Sequence, residues 1–115
     1  PATKVLMDVF HMNIEEASIE DSIRKNIDAL GYFHIADSNR MYPGAGHVEL
    51  KPVFDALADL GYEGYVSLEC LRIPDGITAA REVSFRSLGQ TDERRKKNEN
   101  TIILDIPDRK NGCVE

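Results

Sequence analysis

The chain has 115 residues, of which 42% are hydrophobic and 30% charged, a composition typical of one modest globular domain rather than of a disordered tail. Its formal net charge is −6, and all of it falls in residues 1–90 because residues 91–115 hold six acids and six bases. Such an acidic body repels nucleic acid and anionic lipid, whereas it is compatible with a cation site or a neutral substrate.

The first predicted unit begins with KVLMDVF, residues 4–10, which is apolar almost throughout and indicates a parallel strand covered on both faces. The following HMNIEEAS, residues 11–18, is interpreted as a loop or short turn. Ser18 is a good helix cap with Asp21 three residues on, and Gly31 is placed to end that helix. Four apolar residues between them lie at helical spacing: Ile19, Ile23, Ile27 and Leu30.

Two further units follow the same order. YFHIAD at 32–37 is predicted to be a strand, and SNRMYPGAGHVEL at 38–50 a long loop punctuated by proline and glycine. A helix over about 51–60 ends at Gly61, and YVSLEC at 65–70 is a third strand. After the loop LRIPDG, the spacing predicts a helix over 77–88.

The order β-loop-α, repeated three times, predicts an α/β fold with a parallel sheet and right-handed crossovers. We therefore expect a βαβαβα module over residues 1–90. Residues 91–115 are expected to form a charged linker, TDERRKKNEN, followed by an extension that contains the strand-like run TIILDI at 101–106.

Each of the three predicted strands ends near a residue that ligates hard metals or carries protons: Asp8, His34 and Glu69. The carboxyl ends of parallel strands lie at one edge of a sheet, where α/β proteins build their sites, so these side chains are expected to converge. Two carboxylates and an imidazole suit Mn²⁺, Mg²⁺, Co²⁺ or Zn²⁺. The alternative is that each is an ordinary hydrogen-bond partner of a loop, but their common phase with the strands favours a site.

Other polar residues fall in the same predicted loops. His11 and His47 join His34 there, so all three histidines of the chain lie in the first two strand-end loops. Arg40 is placed to hold a substrate oxygen, and the alternative is a surface arginine paired with Asp37. His47 is the weakest candidate, interpreted as a cap of the next helix. The adjacent acids at 15 and 16 are interpreted as helix-start charges.

Three segments in the same order resemble the last three strand motifs of the ketose 3-epimerases. These enzymes belong to the sugar-phosphate isomerase/epimerase family, whose members are xylose isomerase-like TIM barrels. The similar segments are DVFHMNIEE at 8–16, HIADSNRMYPGAGHVELKPVFDAL at 34–57 and LGYEGYVSLE at 60–69. The resemblance implies a partial (β/α)₈ barrel comprising its last three βα units.

The resemblance also implies residue roles. Asp8, His34 and Glu69 match metal ligands, His11 and Arg40 match residues that bind the substrate, and Glu69 matches one of two glutamates that exchange protons with the sugar. The first glutamate ligand and the second proton carrier of the family have no match in this sequence. The implied substrate is a small ketose or sugar phosphate, and the implied cofactor is a divalent ion.

Two functional hypotheses follow. The chain is a fragment or subunit of a divalent-metal-dependent ketose isomerase or epimerase, expected to have no appreciable epimerase activity alone. Alternatively, it is a non-catalytic, oligomerising barrel remnant that at most binds a metal. In both cases bare outer strands lead us to expect a homo-oligomer, in the first place a dimer. A DNA-repair endonuclease of the same superfamily is disfavoured by the acidic charge.

The same sequence predicts no membrane partner and a cytoplasmic location. No apolar run approaches the roughly 20 residues that cross a bilayer. The two cysteines, Cys70 and Cys113, form no metal or redox motif, as is usual for a reduced compartment.

Overall fold

A parallel sheet organises the fold of the computed structural model, which describes residues 2–82 and 102–103. The strands are hydrogen-bonded in chain order, each parallel to the next. They are β1 (Val5–Asp8), β2 (Leu30–Ile35), β3 (Val66–Leu68) and β4 (Ile102–Ile103). The helices are α1 (Val9–Glu15), α2 (Ile19–Asn26) and α3 (Leu50–Asp59), with a 3₁₀ turn at Ile27–Ala29 and further helical residues at 76–82. The predicted α/β class and parallel sheet are confirmed.

The hydrophobic core lies between one face of this sheet and the helices. Phe33 and Ile35 on β2 pack with Ile23 of α2 and Val53 of α3, and all four are fully buried or nearly so. Side chains alternate between the two faces of a strand, so the residues between these core positions point to the other face. That second face carries Leu6 and Tyr65 at 51% and 55% exposure, as well as the predicted site.

The prediction for the first strand end was wrong. β1 stops at Asp8, and the predicted loop is mostly the helix α1. The Asp8 carboxylate accepts a hydrogen bond from the Phe10 amide at 2.9 Å and so caps this helix. Val9 and Met12, three residues apart, are buried on its inner side. The aspartate inside the apolar run is therefore a helix-start signal as well as a strand-end residue.

The start of α2 is confirmed and its end is wrong. The Ser18 hydroxyl accepts a hydrogen bond from the Asp21 amide at 3.2 Å, as the capping pattern predicts. β2 begins at Leu30, two residues before the predicted start, and Gly31 lies inside the strand. A Cβ on Gly31 would collide with the Lys4 side chain, so this glycine serves close strand approach rather than helix termination.

The later elements lie close to their predicted positions. α3 is shifted by one residue, and Gly61 follows it with a positive φ of 65°. β3 ends at Leu68 and is shorter than predicted, although the Glu69 amide still donates to the Ile35 carbonyl at 3.0 Å. Helix 76–82 matches the start of the predicted helix 77–88, and the remainder of that helix lies outside the described residues.

The tail is described only at β4, which pairs with β3 and lies inside the strand-like run at 101–106. The expected boundary at residue 90 and the rest of the 91–115 extension lie outside the described residues. Across the part of the chain that is described, none of the helices combines the length and the apolarity needed to cross a membrane.

Replacing Ser18 by alanine should destabilise the protein by about 1 kcal/mol, because the amide at the start of α2 loses its acceptor. Urea unfolding followed by far-UV circular dichroism measures this. Ser18→Asp keeps an acceptor and is the matched control, expected to stay close to the wild-type midpoint. Equal midpoints for Ser18→Ala and the wild type would contradict the cap.

Candidate metal centre

The structure brings the three predicted ligand residues together. Asp8 is the last residue of β1, His34 lies one residue before the end of β2, and Glu69 follows β3 directly. Asp8 and His34 are paired across the parallel strands, so their side chains share one face. Each of the three offers one ligand atom, and these atoms lie within 4.8 Å of one another.

The two oxygens of Asp8 have different tasks. One accepts the Phe10 amide at the start of α1, and the other lies 3.5 Å from His34 Nδ1. Asp8 is only 6% exposed, so the second oxygen faces the cluster rather than solvent. The capping bond fixes the carboxylate plane and leaves one oxygen directed at the other two residues.

The carboxyls of Asp8 and Glu69 share the site unequally. Burial raises the pKa of Asp8, and the Glu69 carboxylate raises it further by hydrogen bonding and by its negative charge. Burial also disfavours the charged Glu69, but hydrogen bonds from Arg40 and Asp8 outweigh it and lower the pKa of Glu69. Two adjacent carboxyls resist ionising together unless a cation lies between them.

The cluster of Asp8, His34 and Glu69 suits a divalent ion. The donor set of two carboxylates and one imidazole is of a kind that Mn²⁺, Co²⁺ and Zn²⁺ accept, and an ion would relieve the proton sharing between Asp8 and Glu69. A further polar atom lies nearby in the sheet. Ser67 is paired with His34, and its hydroxyl is buried with no hydrogen-bond partner among the residues that the structure describes.

The side chain of Arg40 pairs with that of Glu69, not with that of Asp37. One guanidinium nitrogen lies 2.9 Å and 3.1 Å from the two Glu69 oxygens, and the guanidinium carbon lies 5.1 Å from the centre of the Phe10 ring. The alternative of a side-chain pair with Asp37 is therefore wrong. Phe10 was not identified from the sequence, where it counts only as one more apolar residue of the first predicted strand.

Asp37 instead organises the loop that carries Arg40. It is fully buried and accepts hydrogen bonds from the amides of Ser38, Gly44 and Val48 at 2.7, 2.6 and 3.0 Å. Burial raises its pKa, but these amides and that of Gly46 more than compensate, so the pKa of Asp37 is lowered. The sequence signal was an aspartate directly before a loop rich in glycine and proline.

His11 lies on α1, one turn after Asp8, with its side chain exposed. It lines an open cleft of about 690 Å³ together with Asp8, His34, Arg40 and Glu69, so the cleft joins both predicted substrate residues to the three predicted ligands. This placement brings the whole predicted set to one side of the sheet.

Two secondary interpretations were wrong. His47 does not cap α3, because its Nδ1 lies 2.9 Å from the Ser38 hydroxyl and the cap residue, Glu49, makes no side-chain capping bond. The acids at 15 and 16 stand at the end of α1 rather than at a helix start, because α1 occupies the predicted loop. Glu16 accepts a hydrogen bond from the Ser22 hydroxyl of the next helix.

Comparison with known proteins gives the family. A family model described as the xylose isomerase-like TIM barrel matches residues 1–87. The chain belongs to this family.

Its relatives in the family include ketose 3-epimerases. D-psicose 3-epimerase from Ruminiclostridium cellulolyticum is 37% identical over 104 residues, covering 90% of this chain and 36% of that protein. L-ribulose 3-epimerase from Mesorhizobium japonicum is 43% identical over 63 residues, covering 55% of this chain and 21% of that protein. A solved structure of L-ribulose 3-epimerase superposes with a TM-score of 0.70 at 31% identity, covering 81% of this chain and 38% of that one.

The match covers only part of the length of each relative. This xylose isomerase-like chain spans 22% to 36% of the length of the D-psicose 3-epimerases that it matches. The resemblance to part of a TIM barrel is thereby confirmed.

Replacing Asp37 by asparagine should cost about 1–3 kcal/mol, because an NH₂ group would then face amides that need an acceptor. The folded pKa of Asp37 lies below its unfolded value near 3.8, so its stabilising contribution is complete above that value. It is lost as the pH falls through the folded pKa. The difference in unfolding free energy between the wild type and Asp37→Asn should therefore be largest near pH 6 and shrink below pH ~3.8.

Urea unfolding at pH 6, 4 and 3 measures the effect. Asp59→Asn is the matched control, since Asp59 is exposed and pairs with Arg24 at 3.2 Å on the surface. That control should cost less than about 1 kcal/mol, as is usual for an exposed ion pair. A similar small cost for both variants would contradict the anchoring role of Asp37.

Proposed function

We propose that this chain forms the metal-binding part of the active site of a divalent-metal-dependent ketose isomerase or epimerase. The observation that carries the proposal is the convergence of Asp8, His34 and Glu69 within 4.8 Å at one edge of a parallel sheet. Relatives named as D-psicose and L-ribulose 3-epimerases support a ketose as the substrate class. Mn²⁺, Co²⁺, Mg²⁺ and Zn²⁺ are the candidate ions.

Asp8, His34 and Glu69 are the residues that would hold the ion. Bound there, it would polarise neighbouring carbonyl and hydroxyl oxygens of the sugar and so acidify the C–H bond between them. Asp8 is well suited to this task because its capping bond to the Phe10 amide fixes the carboxylate, so the ligand oxygen needs no reorientation.

Glu69 is also the proposed general base. Its lowered pKa means that it is ionised at neutral pH and able to accept a proton. It is about one-third exposed toward the cleft, so a sugar carbon can approach it. Arg40 and His11 line the same cleft and offer hydrogen-bond donors to sugar oxygens.

Inversion of a stereocentre needs a second proton carrier on the opposite face of the carbon. Within residues 2–82, the only other carboxyl in the cluster is Asp8, which is already assigned to the ion. We therefore propose that this chain abstracts and returns a proton on one face, while inversion depends on a group that the cluster does not contain.

We also propose that a second copy of the chain completes its surface. β1 lies at one end of the described sheet order, and Leu6 is half exposed on the face away from the core. A free apolar strand edge favours pairing, so a two-fold dimer is the simplest assembly. The proposed cellular location is the cytoplasm, and residues 91–115 are proposed to be an extension of the 1–90 module.

Hydrogen exchange tests the enzyme hypothesis with the purified 115-residue chain. Candidate ketoses, D-psicose and L-ribulose first, are incubated in D₂O with Mn²⁺, and deuterium at the carbon next to the carbonyl is measured by NMR. We expect exchange that depends on Mn²⁺, with little epimer formed. Absence of exchange above the buffer rate, with metal bound, would favour the non-catalytic remnant.

Glu69→Gln should lower the exchange rate by about 10²–10⁴-fold, because it removes the positioned base. Glu63→Gln is the matched control: Glu63 is exposed in the turn before β3, and its variant should exchange like the wild type. Equal exchange rates for Glu69→Gln and the wild type would exclude Glu69 as the base.

A further inference from the structure

The ion pair between Arg40 and Glu69 uses the atoms that a metal would need. A single guanidinium nitrogen lies within hydrogen-bond distance of both carboxylate oxygens of Glu69, at 2.9 and 3.1 Å. Both side chains are about one-third exposed, at 36% and 32%, so the pair lies at the mouth of the cleft rather than in the core. Neither oxygen of Glu69 is free of Arg40 in this state.

Arg40 is held in this position by its backbone. Its φ is 59°, a left-handed conformation that a non-glycine residue adopts rarely. Its amide donates to the Asp37 carbonyl at 2.8 Å, and its carbonyl accepts from the Leu71 amide at 2.7 Å. The Phe10 ring lies beside the guanidinium, so the loop, the segment after Glu69 and α1 all fix the arginine.

The charges around the cleft explain the contact between Arg40 and Glu69. Asp8 and Glu69 bring two carboxyls into one cluster, with ligand atoms within 4.8 Å of each other. A carboxylate in a cleft is stabilised by a positive partner, and the Arg40 guanidinium contacts Glu69 at 2.9 Å. A metal ion arriving at the same oxygens carries the same sign of charge as the guanidinium and is repelled by it.

We propose that Arg40 is a resident counter-ion of Glu69 that competes with the metal ion, so that Arg40 lowers the affinity of the site for metal. The proposal rests on the proposed function, because it takes the cluster of Asp8, His34 and Glu69 as the metal site. Metal binding draws Glu69 away from the guanidinium. Arg40 is then free to donate to a sugar oxygen, which places metal binding before sugar binding.

The test is a Mn²⁺ titration of the purified chain, with free Mn²⁺ measured by electron paramagnetic resonance. Arg40→Asn removes the charge and suits the backbone, because asparagine tolerates a left-handed φ better than most residues. Arg40→Lys keeps the charge and is the matched control. We expect Arg40→Asn to bind Mn²⁺ roughly five- to tenfold more tightly than the wild type, as for loss of one nearby positive charge at a partly exposed site.

Arg40→Lys should stay within about twofold of the wild type, since only the position of the charge changes. Equal or weaker binding by Arg40→Asn, with an unchanged circular dichroism spectrum, would overturn the proposal, because Arg40 would then only orient Glu69. An unfolded Arg40→Asn is replaced by Arg40→Gln, for which the same expectation holds.

A second measurement follows Arg40 in the wild-type protein. The Nε–H resonance of Arg40 is recorded by NMR during titration with diamagnetic Zn²⁺. We expect it to shift with the occupancy of the site and to saturate with it. An unchanged resonance at full Zn²⁺ occupancy would overturn the competition.

The outcomes also separate this inference from the proposed function. Measurable and equal Mn²⁺ affinity in the wild type and Arg40→Asn would overturn the competition and leave the metal site standing. No binding by either protein would overturn both. Tight binding that is lost in Glu69→Gln, with the expected gain in Arg40→Asn, supports both.

Discussion

The parallel register of β1 and β2 is the constraint on which the rest of the site depends. It sets Asp8 opposite His34, and β3 continues the row with Ser67 opposite His34. Glu69, two residues beyond Ser67, falls on the same face one step nearer the strand ends. A slip of one residue would turn one member of the cluster into the apolar core, so the packing that fixes the register also assembles the site.

That packing lies on the opposite face of the sheet. Phe33 and Ile35 flank His34 and are buried against α2 and α3, so His34 cannot reverse its direction without exposing both. Stability and site chemistry are thus divided between the two faces of the same strands. This division explains how the second face can hold acidic and apolar exposed groups while the domain still has a well-packed core.

Periodicity was sufficient to predict the class of the fold and most of its elements. The apolar stripe of α3 and the capping pattern at Ser18 were unambiguous because they depend on local spacing. The first strand end was not, because VFHM fits a strand by apolarity and a helix by the spacing of Val9 and Met12. The hydrogen bond from the Phe10 amide to Asp8 favours the helix, and it was missed because an aspartate at this position fits a strand end as well as a helix cap.

In the site too, sequence spacing predicted some features, and others depend on contacts between distant residues. The three ligand-type residues were predictable because strand ends converge in any parallel sheet. The partner of Arg40 was not predictable, because the nearer aspartate in sequence, Asp37, is occupied by loop amides. With Asp37 engaged in this way, the Arg40 guanidinium pairs instead with Glu69, which follows the next strand.

The contacts of Asp37 and Arg40 connect the loop to the carboxylates of the candidate metal site. Asp37 accepts hydrogen bonds that close a loop, the closed loop holds Arg40 in a left-handed conformation, and the guanidinium then pairs with Glu69 and lowers its pKa. Each of these contacts restricts the next one. Asp37, although buried in its loop, thereby determines where the positive charge of Arg40 lies in the cleft. An arginine on a flexible loop would pair with any surface acid at little gain, whereas one fixed in this way keeps its charge at the strand ends.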